Sequence, residues 1–274
     1  MGDSAWITFS ESRAMRPTAR VRRSSGFQAC AKLCRQYLKW FGNATYKHHH
    51  NGERWLLESL RSESIHTVLD VGANVGKWAL MAVESLPSAT IYALEAVPAT
   101  AALLRKTVSG HTRIRPFELG LAAESGSIAL NYDSAASTHA TVTRYPQKGN
   151  PQPVECAVMA GDEFLVRQGL TAVDFLKLDV EGAEHLVLQG LEGSLRARRI
   201  RMIQFEYGRV NILTHFLLRD FYELFESYGY CVGKIYPDFV DFRAYDLNDE
   251  DFLGPNYLAC LQNDAVVPRL GKMA

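Results

Sequence analysis

Val173-Asp174-Phe175-Leu176-Lys177-Leu178-Asp179-Val180-Glu181-Gly182-Ala183-Glu184 passes from an apolar run straight into three carboxylates, Asp179, Glu181 and Glu184. A short run of this kind reads as a buried strand of a parallel sheet. Bare carboxylates are costly to bury, so the acidic triplet belongs where the strand ends rather than deeper in the core. Open α/β sheets bind their ligands at the carboxyl ends of their strands, so this stretch predicts both a fold class and a site.

Outward from this strand the chain alternates strand, turn and helix. Upstream, residues 67–71, 90–94 and 113–119 read as strands, separated by helices over 77–86 and 99–108. Downstream, helices over 183–191 and 217–228 alternate with strands over 200–207, 230–236 and 257–261. Residues 127–132 and 154–158 read as a hairpin excursion around the polar loop 133–153, with a short helix over 162–168 behind it. The alternation predicts parallel βαβ units with right-handed crossovers, an α/β doubly wound, mostly parallel sheet. Ahead of it, residues 1–26 form a basic leader and 27–64 a helical extension; the core domain spans 65–264 and a tail 265–274. Within the extension, Leu33, Tyr37, Leu38 and Phe41 share a helical face over 27–41, and Trp55, Leu56 and Leu60 suggest a further short helix.

Lys and Arg total 30 and balance 30 Asp and Glu, so the chain as a whole has no pull toward nucleic acid. The balance hides an asymmetry: residues 1–50 hold nine Lys and Arg against Asp3 and Glu11 only. The leader reads as a solvated extension, with an arm touching an anionic surface as the alternative. No apolar stretch follows it, so a secretory signal is not expected, although residues 12–25 loosely resemble a transit peptide. No run approaches the roughly 18 apolar residues that span a bilayer, and stable membrane insertion is not expected. Five scattered cysteines, an odd number, suit reduced thiols in the cytoplasm. Cys30 and Cys34 have no second pair to complete a zinc site, and His48-His49-His50 reads as an exposed polar turn.

Asp70-Val71-Gly72-Ala73-Asn74-Val75-Gly76 closes the first strand and opens the first helix. Glycines there permit a tight turn and close backbone approach to a ligand. A dinucleotide fingerprint would show G-x-G-x-x-G, but the middle glycine is missing and Asp70 would repel a pyrophosphate. Such a turn suits a ligand with a cationic part and no phosphate. The second strand ends in Glu95, a carboxylate able to accept from both hydroxyls of a ribose. Together these features point to S-adenosylmethionine, with Asp70, Gly72, Asn74, Gly76 and Glu95 as the cofactor-binding residues.

The segments 68–76, Ala93-Leu94-Glu95-Ala96 and Phe175–Glu184 resemble the FkbM family of methyltransferases. The likeness covers about residues 65–262, and its specific part is the third segment. It implies a class I methyltransferase-like Rossmann fold with seven strands, the last antiparallel, and O-methylation of sugars or polyketides. It also implies that Gly120 and Leu121, just after the third strand, lie near the adenine ring. Two departures stand out. The family has proline directly after its second-strand acid, whereas Ala96 and Val97 here precede Pro98. The family's Thr-Leu-Asp is replaced by Ala160-Gly161-Asp162, which leaves Asp162 without an assigned role.

Methyl transfer to a hydroxyl needs positioning above all, helped by a base. Asp179 stands nearest the strand end and is the first candidate, with Glu181 and Glu206 orienting the acceptor or sharing the proton. His139 and His215, in loops, are further candidate bases. Glu184 also reads as a first-turn carboxylate that offsets a helix dipole. Clustered carboxylates suit Mg²⁺ as well, but carboxylates at strand ends need not hold metal and no metal ligand is assigned. Tyr236, Phe239, Phe242 and Tyr245 are read as stacking surfaces for a sugar ring, with Asp238 and Asp241 accepting its hydroxyls. The expected partner is a small-molecule or glycan hydroxyl acceptor. The alternatives are a binding module without chemistry and an NAD-dependent oxidoreductase.

Overall fold

The computed structural model describes residues 18–48, 50–132, 140–141 and 151–271. Phe41 ends the first of two compact units and Gly42 begins the second. The first contains α1 (Ala19–Arg23) and α2 (Ser25–Phe41).

The second unit opens with α3 (Glu53–Ser59), whose Leu56 and Leu57 enter the core. There follow β1 (Thr67–Val71), α4 (Lys77–Ser85), β2 (Thr90–Glu95), α5 (Pro98–Thr107) and β3 (Ile114–Glu118). An excursion of β4 (Gly120–Ala122), β5 (Gly126–Tyr132), β6 (Ala140–Thr141) and β7 (Gln152–Ala160) forms a separate four-stranded sheet. The chain then returns through α6 (Gly161–Arg167), β8 (Val173–Leu178), α7 (Glu184–Gly190), α8 (Glu192–Arg196) and β9 (Ile200–Glu206). It ends with α9 (Asn211–Thr214), α10 (Leu218–Ser227), β10 (Tyr230–Ile235), β11 (Val240–Phe242), β12 (Asn256–Leu261) and α11 (Val266–Leu270).

The main sheet has the order β11-β10-β12-β9-β8-β1-β2-β3. Seven of its strands are those expected: β12 runs antiparallel to both β9 and β10, and β9, β8, β1, β2 and β3 pair in parallel. The eighth, β11, is a three-residue edge strand antiparallel to β10. It escaped the sequence because Val240-Asp241-Phe242 is too short to show a period.

β8 lies between β1 and β9, and its apolar residues divide between the two faces. Phe175 stacks on Trp78 of α4 on one side; Leu176 and Leu178 join the second core cluster on the other. Burial on both faces is why the run carries no polar alternation. The strand order reverses between β1 and β8, which places the β1 turn and the β8 acidic stretch side by side.

Candidate active site

Gly72, Asn74 and Gly76 all adopt left-handed backbone, at φ of +81°, +50° and +85°. A side chain on Gly76 would strike Leu104 of α5 at 2.8 Å, so glycine is needed there for packing as well as for conformation. The five amides of the turn are all used within the protein. Gly72 and Ala73 donate to the Leu94 carbonyl at 3.0 and 2.9 Å, and Gly76 donates to Ala73 at 2.8 Å. Asn74 donates to Glu95 Oε2 at 2.9 Å, and Val75 to the Asn74 side chain at 2.7 Å.

Glu95 is therefore fixed by both oxygens, since its Oε1 accepts the Val97 amide at 2.9 Å. Burial lifts its pKa, while the Val97 and Asn74 amides pull it back. Val97 is one of the two residues that precede Pro98 here, and its N–H is the donor Glu95 Oε1 uses. Pro98 itself starts α5, where a missing amide costs nothing. Gly120 lies against Ala96, next to Glu95, within β4 rather than in a loop. Leu121 turns its side chain into the core.

A row of polar residues crosses the middle of the sheet: Asp70 of β1 pairs in register with Lys177 of β8, which pairs with Gln204 of β9. All three are buried. Lys177 Nζ lies 3.3 Å from Asp70 Oδ1 and 3.0 Å from Asp179 Oδ2, and 5.5 Å from the centre of the Trp78 ring. Burial works against its charge, but Asp179, Asp70 and Glu53 outweigh it and hold Lys177 firmly protonated. Asp70 thus has a cationic partner inside the protein. Its carboxyl is still raised by burial, and Oδ2 has no hydrogen-bond partner among the described residues.

Asp179 is enclosed by protein, yet a third of its side chain stays accessible. Burial opposes its charge; Lys177 and a hydrogen bond shared with Glu206 prevail and bring its pKa below the usual carboxylate range. Glu206 goes the other way. Burial, then the charges of Asp179 and Glu181, push it well above that range, so it holds the shared proton. The three residues expected to act on the acceptor are accordingly near neighbours, with Asp179 ionised and Glu206 neutral. Glu181 occupies the turn after β8 at φ +53°, followed by Gly182 at +96°.

Glu184 begins α7 and accepts the Val180 amide at 3.0 Å. It is buried, with Oε2 unpartnered among the described residues, and burial raises its pKa to about 7. Its contact ties the turn after β8 to the start of α7. Asp162 caps α8, accepting from the amides of Gly193 and Ser194 at 2.8 and 3.1 Å. His215 is exposed at the end of α9, and His139 lies outside the described residues.

The turn over His48–His50 departs from expectation. His50 is exposed, but His48 is half-buried, with Nδ1 2.6 Å from Glu53 Oε2. That contact raises the His48 pKa and lowers that of Glu53, against the burial of the carboxylate. Glu53 also accepts from Asn51 Nδ2 and Gln204 Nε2, both at 2.7 Å. The charges of Lys177 and Asp179 both act on His48, which places Glu53 and His48 in the same polar network. No single-sequence pattern connects α3 to β8, so Glu53 and His48 were missed. Lys177 and Gln204 did carry a signal, each being a polar residue inside an apolar strand.

The aromatic residues beyond β10 are largely engaged with each other. Tyr236 and Phe239 stack at 4.7 Å, Tyr245 packs on Tyr222 at 5.6 Å, and Phe242 packs against the core. Asp241 pairs with Arg243 at 2.9 Å, while Asp238 is exposed. Phe242 and Tyr245 both stay partly exposed, each with part of its ring engaged by the protein itself.

The sequence profile of the methyltransferase FkbM domain matches residues 70–232, more than half of the chain. The chain is 27% identical over 165 residues to the 2-O-methyltransferase NoeI of Sinorhizobium fredii, covering 55% of this chain and 66% of that one. It is 28% identical over 144 residues to Methyltransferase 1 of Beauveria bassiana, covering 46% and 58%. It is 26% identical over 155 residues to the 31-O-demethyl-FK506 methyltransferase FkbM of Streptomyces tacrolimicus, covering 46% and 59%. The match thus spans less than two thirds of each of these relatives' own length. The profile match includes Asp70, Glu95, Lys177 and Asp179, the residues around which the site is built, and the chain belongs to the FkbM methyltransferase domain family.

Proposed function

We propose that this chain transfers a methyl group from S-adenosylmethionine to a hydroxyl oxygen of a sugar, glycan or polyketide-type small molecule. The observation that carries the reading is the accessible, ionised Asp179, one strand away from a glycine turn that offers no amide to a phosphate.

The residues fit the cofactor. Gly72 and Gly76 hold the turn in left-handed backbone and let it close against Asp179 and Leu104, which brings the turn beside the acidic stretch after β8. The unpartnered Asp70 Oδ2 and the surrounding acids suit a cationic group, and Glu95 keeps lone pairs for ribose hydroxyls beyond its two amide contacts. Asp70, Gly72, Asn74, Gly76 and Glu95 would hold it, with Gly120 near the adenine. When bound, it supplies a methyl group already activated on a sulfonium.

The protein's task is then alignment, worth roughly 7–11 kcal/mol where reactants are well placed. Asp179 accepts a hydrogen bond from the acceptor hydroxyl and takes its proton as the new C–O bond forms. A weakly basic carboxylate suffices, because an alkylated hydroxyl is strongly acidic and loses its proton late. Neutral Glu206 donates to Asp179 and keeps the pair at one negative charge, and Lys177 holds Asp179 in place.

The experiment is a comparison of thermal protection by S-adenosylmethionine and by NAD. Protection by S-adenosylmethionine alone supports the reading; protection by NAD alone replaces it with the oxidoreductase.

A further inference from the structure

We infer that α2 is a membrane-surface helix that docks the protein on an anionic lipid interface. The helix runs 17 residues without a single acid, and at 100° per residue its side chains separate into two faces. Lys32, Arg35 and Lys39 fall together with Gln28 and Gln36 within one third of the circumference. Phe27, Tyr37, Leu38 and Phe41 occupy the opposite side, with Leu33 and Trp40 at its margin. These six large apolar side chains are 47–73% exposed, and no residue of the helix is buried. Leaving that much apolar surface in water is unfavourable, and it marks a surface meant to be covered.

Charge identifies the cover. No Asp or Glu occurs from Ser12 to Gly52, a stretch with nine Lys and Arg. A cationic face beside an aromatic and aliphatic face is what the boundary between lipid headgroups and acyl chains accommodates. Nucleic acid would engage the cationic side alone and leave Phe27, Tyr37 and Phe41 in water. The helix is about 25 Å long, shorter than a hydrocarbon core, and no helix among the described residues is long and apolar enough to cross a membrane. The helix therefore lies in the interface, its axis along the surface. If the chain acts as proposed above, an acceptor carried by a lipid or membrane glycan would then meet the enzyme at that surface; the docking itself does not depend on that reading.

The test is co-sedimentation of the full chain with vesicles of phosphatidylcholine, with and without phosphatidylserine. Binding to the anionic vesicles only, weakening as salt rises, is expected. Lys32→Gln/Arg35→Gln/Lys39→Gln should weaken it by roughly 100-fold, since each interfacial cation contributes about fivefold. Tyr37→Ser/Phe41→Ser should also release the protein, while its thermal unfolding stays that of the wild type. Trp40 emission should shift to the blue on binding, a change absent in Trp40→Phe. No binding at low salt, or equal binding by the triple variant, overturns the inference. So does a wild-type dimer that Tyr37→Ser/Phe41→Ser dissociates, which assigns the apolar face to a second copy. Tighter binding to a single-stranded oligonucleotide than to anionic vesicles overturns it in favour of nucleic acid.

Discussion

Gly72 and Asp179 meet backbone to backbone: a Cβ on Gly72 would stand 1.9 Å from the Asp179 carbonyl oxygen. The Asp179 amide also donates to the Val71 carbonyl at 3.0 Å, so the glycine turn and the acidic stretch are locked to each other at this point. Gly72→Ala should therefore destabilise the protein by about 2–3 kcal/mol, through left-handed strain and the clash together. Urea unfolding measures it, and an unchanged midpoint would contradict the contact.

Lys177 is the cation for two carboxylates in a buried row. Lys177→Met leaves Asp70 and Asp179 without it, and breaking a buried pair in this way costs about 3–5 kcal/mol. The variant should recover on acidification. Asp70 already has a raised pKa, and without Lys177 it rises further, so the folded form binds a proton that the unfolded form lacks. Stability of the variant then falls as pH rises from the ordinary aspartate range. Denaturant midpoints at pH 5 and pH 8 read the difference against wild type.

Asp179 and Glu206 share one proton but differ in what they lose on amidation. Asp179→Asn removes the ionised acceptor and should lower kcat about 10²–10⁴-fold, with S-adenosylhomocysteine affinity nearly unchanged. Glu206→Gln keeps a neutral donor beside Asp179 and should stay within about tenfold of wild type. Transfer of labelled methyl to a panel of hydroxylated acceptors makes the comparison. Equal losses in the two variants would remove the distinction between base and donor.

Glu184 titrates at about 7 in the folded protein, above its ordinary value of 4.5. Between these values the native state holds a proton that the unfolded chain has released, so stability declines as pH rises through that window. Glu184→Gln keeps an acceptor for the Val180 amide and has nothing to titrate. It should gain on wild type by up to about 3 kcal/mol between pH 4.5 and 8, as read by unfolding at each pH.

The sheet was legible because its order rests on local patterns: apolar runs at Thr67–Val71, Thr90–Leu94 and Val173–Leu178, each followed by a helix signal. The site was legible wherever its residues cluster in sequence. The glycine turn, Glu95 and the Asp179 stretch each announce themselves, and the structure adds that Gly72 and Asp179 touch. What stayed hidden depends on pairing across the sheet. Nothing within a single strand says that Asp70, Lys177 and Gln204 fall in register. Nor does α3 announce that Glu53 will reach Gln204, with His48 behind it. His48 is masked further by its two histidine neighbours, which make a partly buried partner of Glu53 look like a polar turn. Phe242 reads as an aromatic residue in a loop, but edge-strand pairing lays it partly against the core.

Cofactor binding is the property on which every role assigned to Glu95 and Asp179 depends. Isothermal calorimetry of the full chain with S-adenosylhomocysteine should show saturable binding at one site, weakened at least tenfold in Glu95→Ala and little changed in Asp179→Asn. Absence of binding by the wild-type protein, or an equal loss in the two variants, would contradict it.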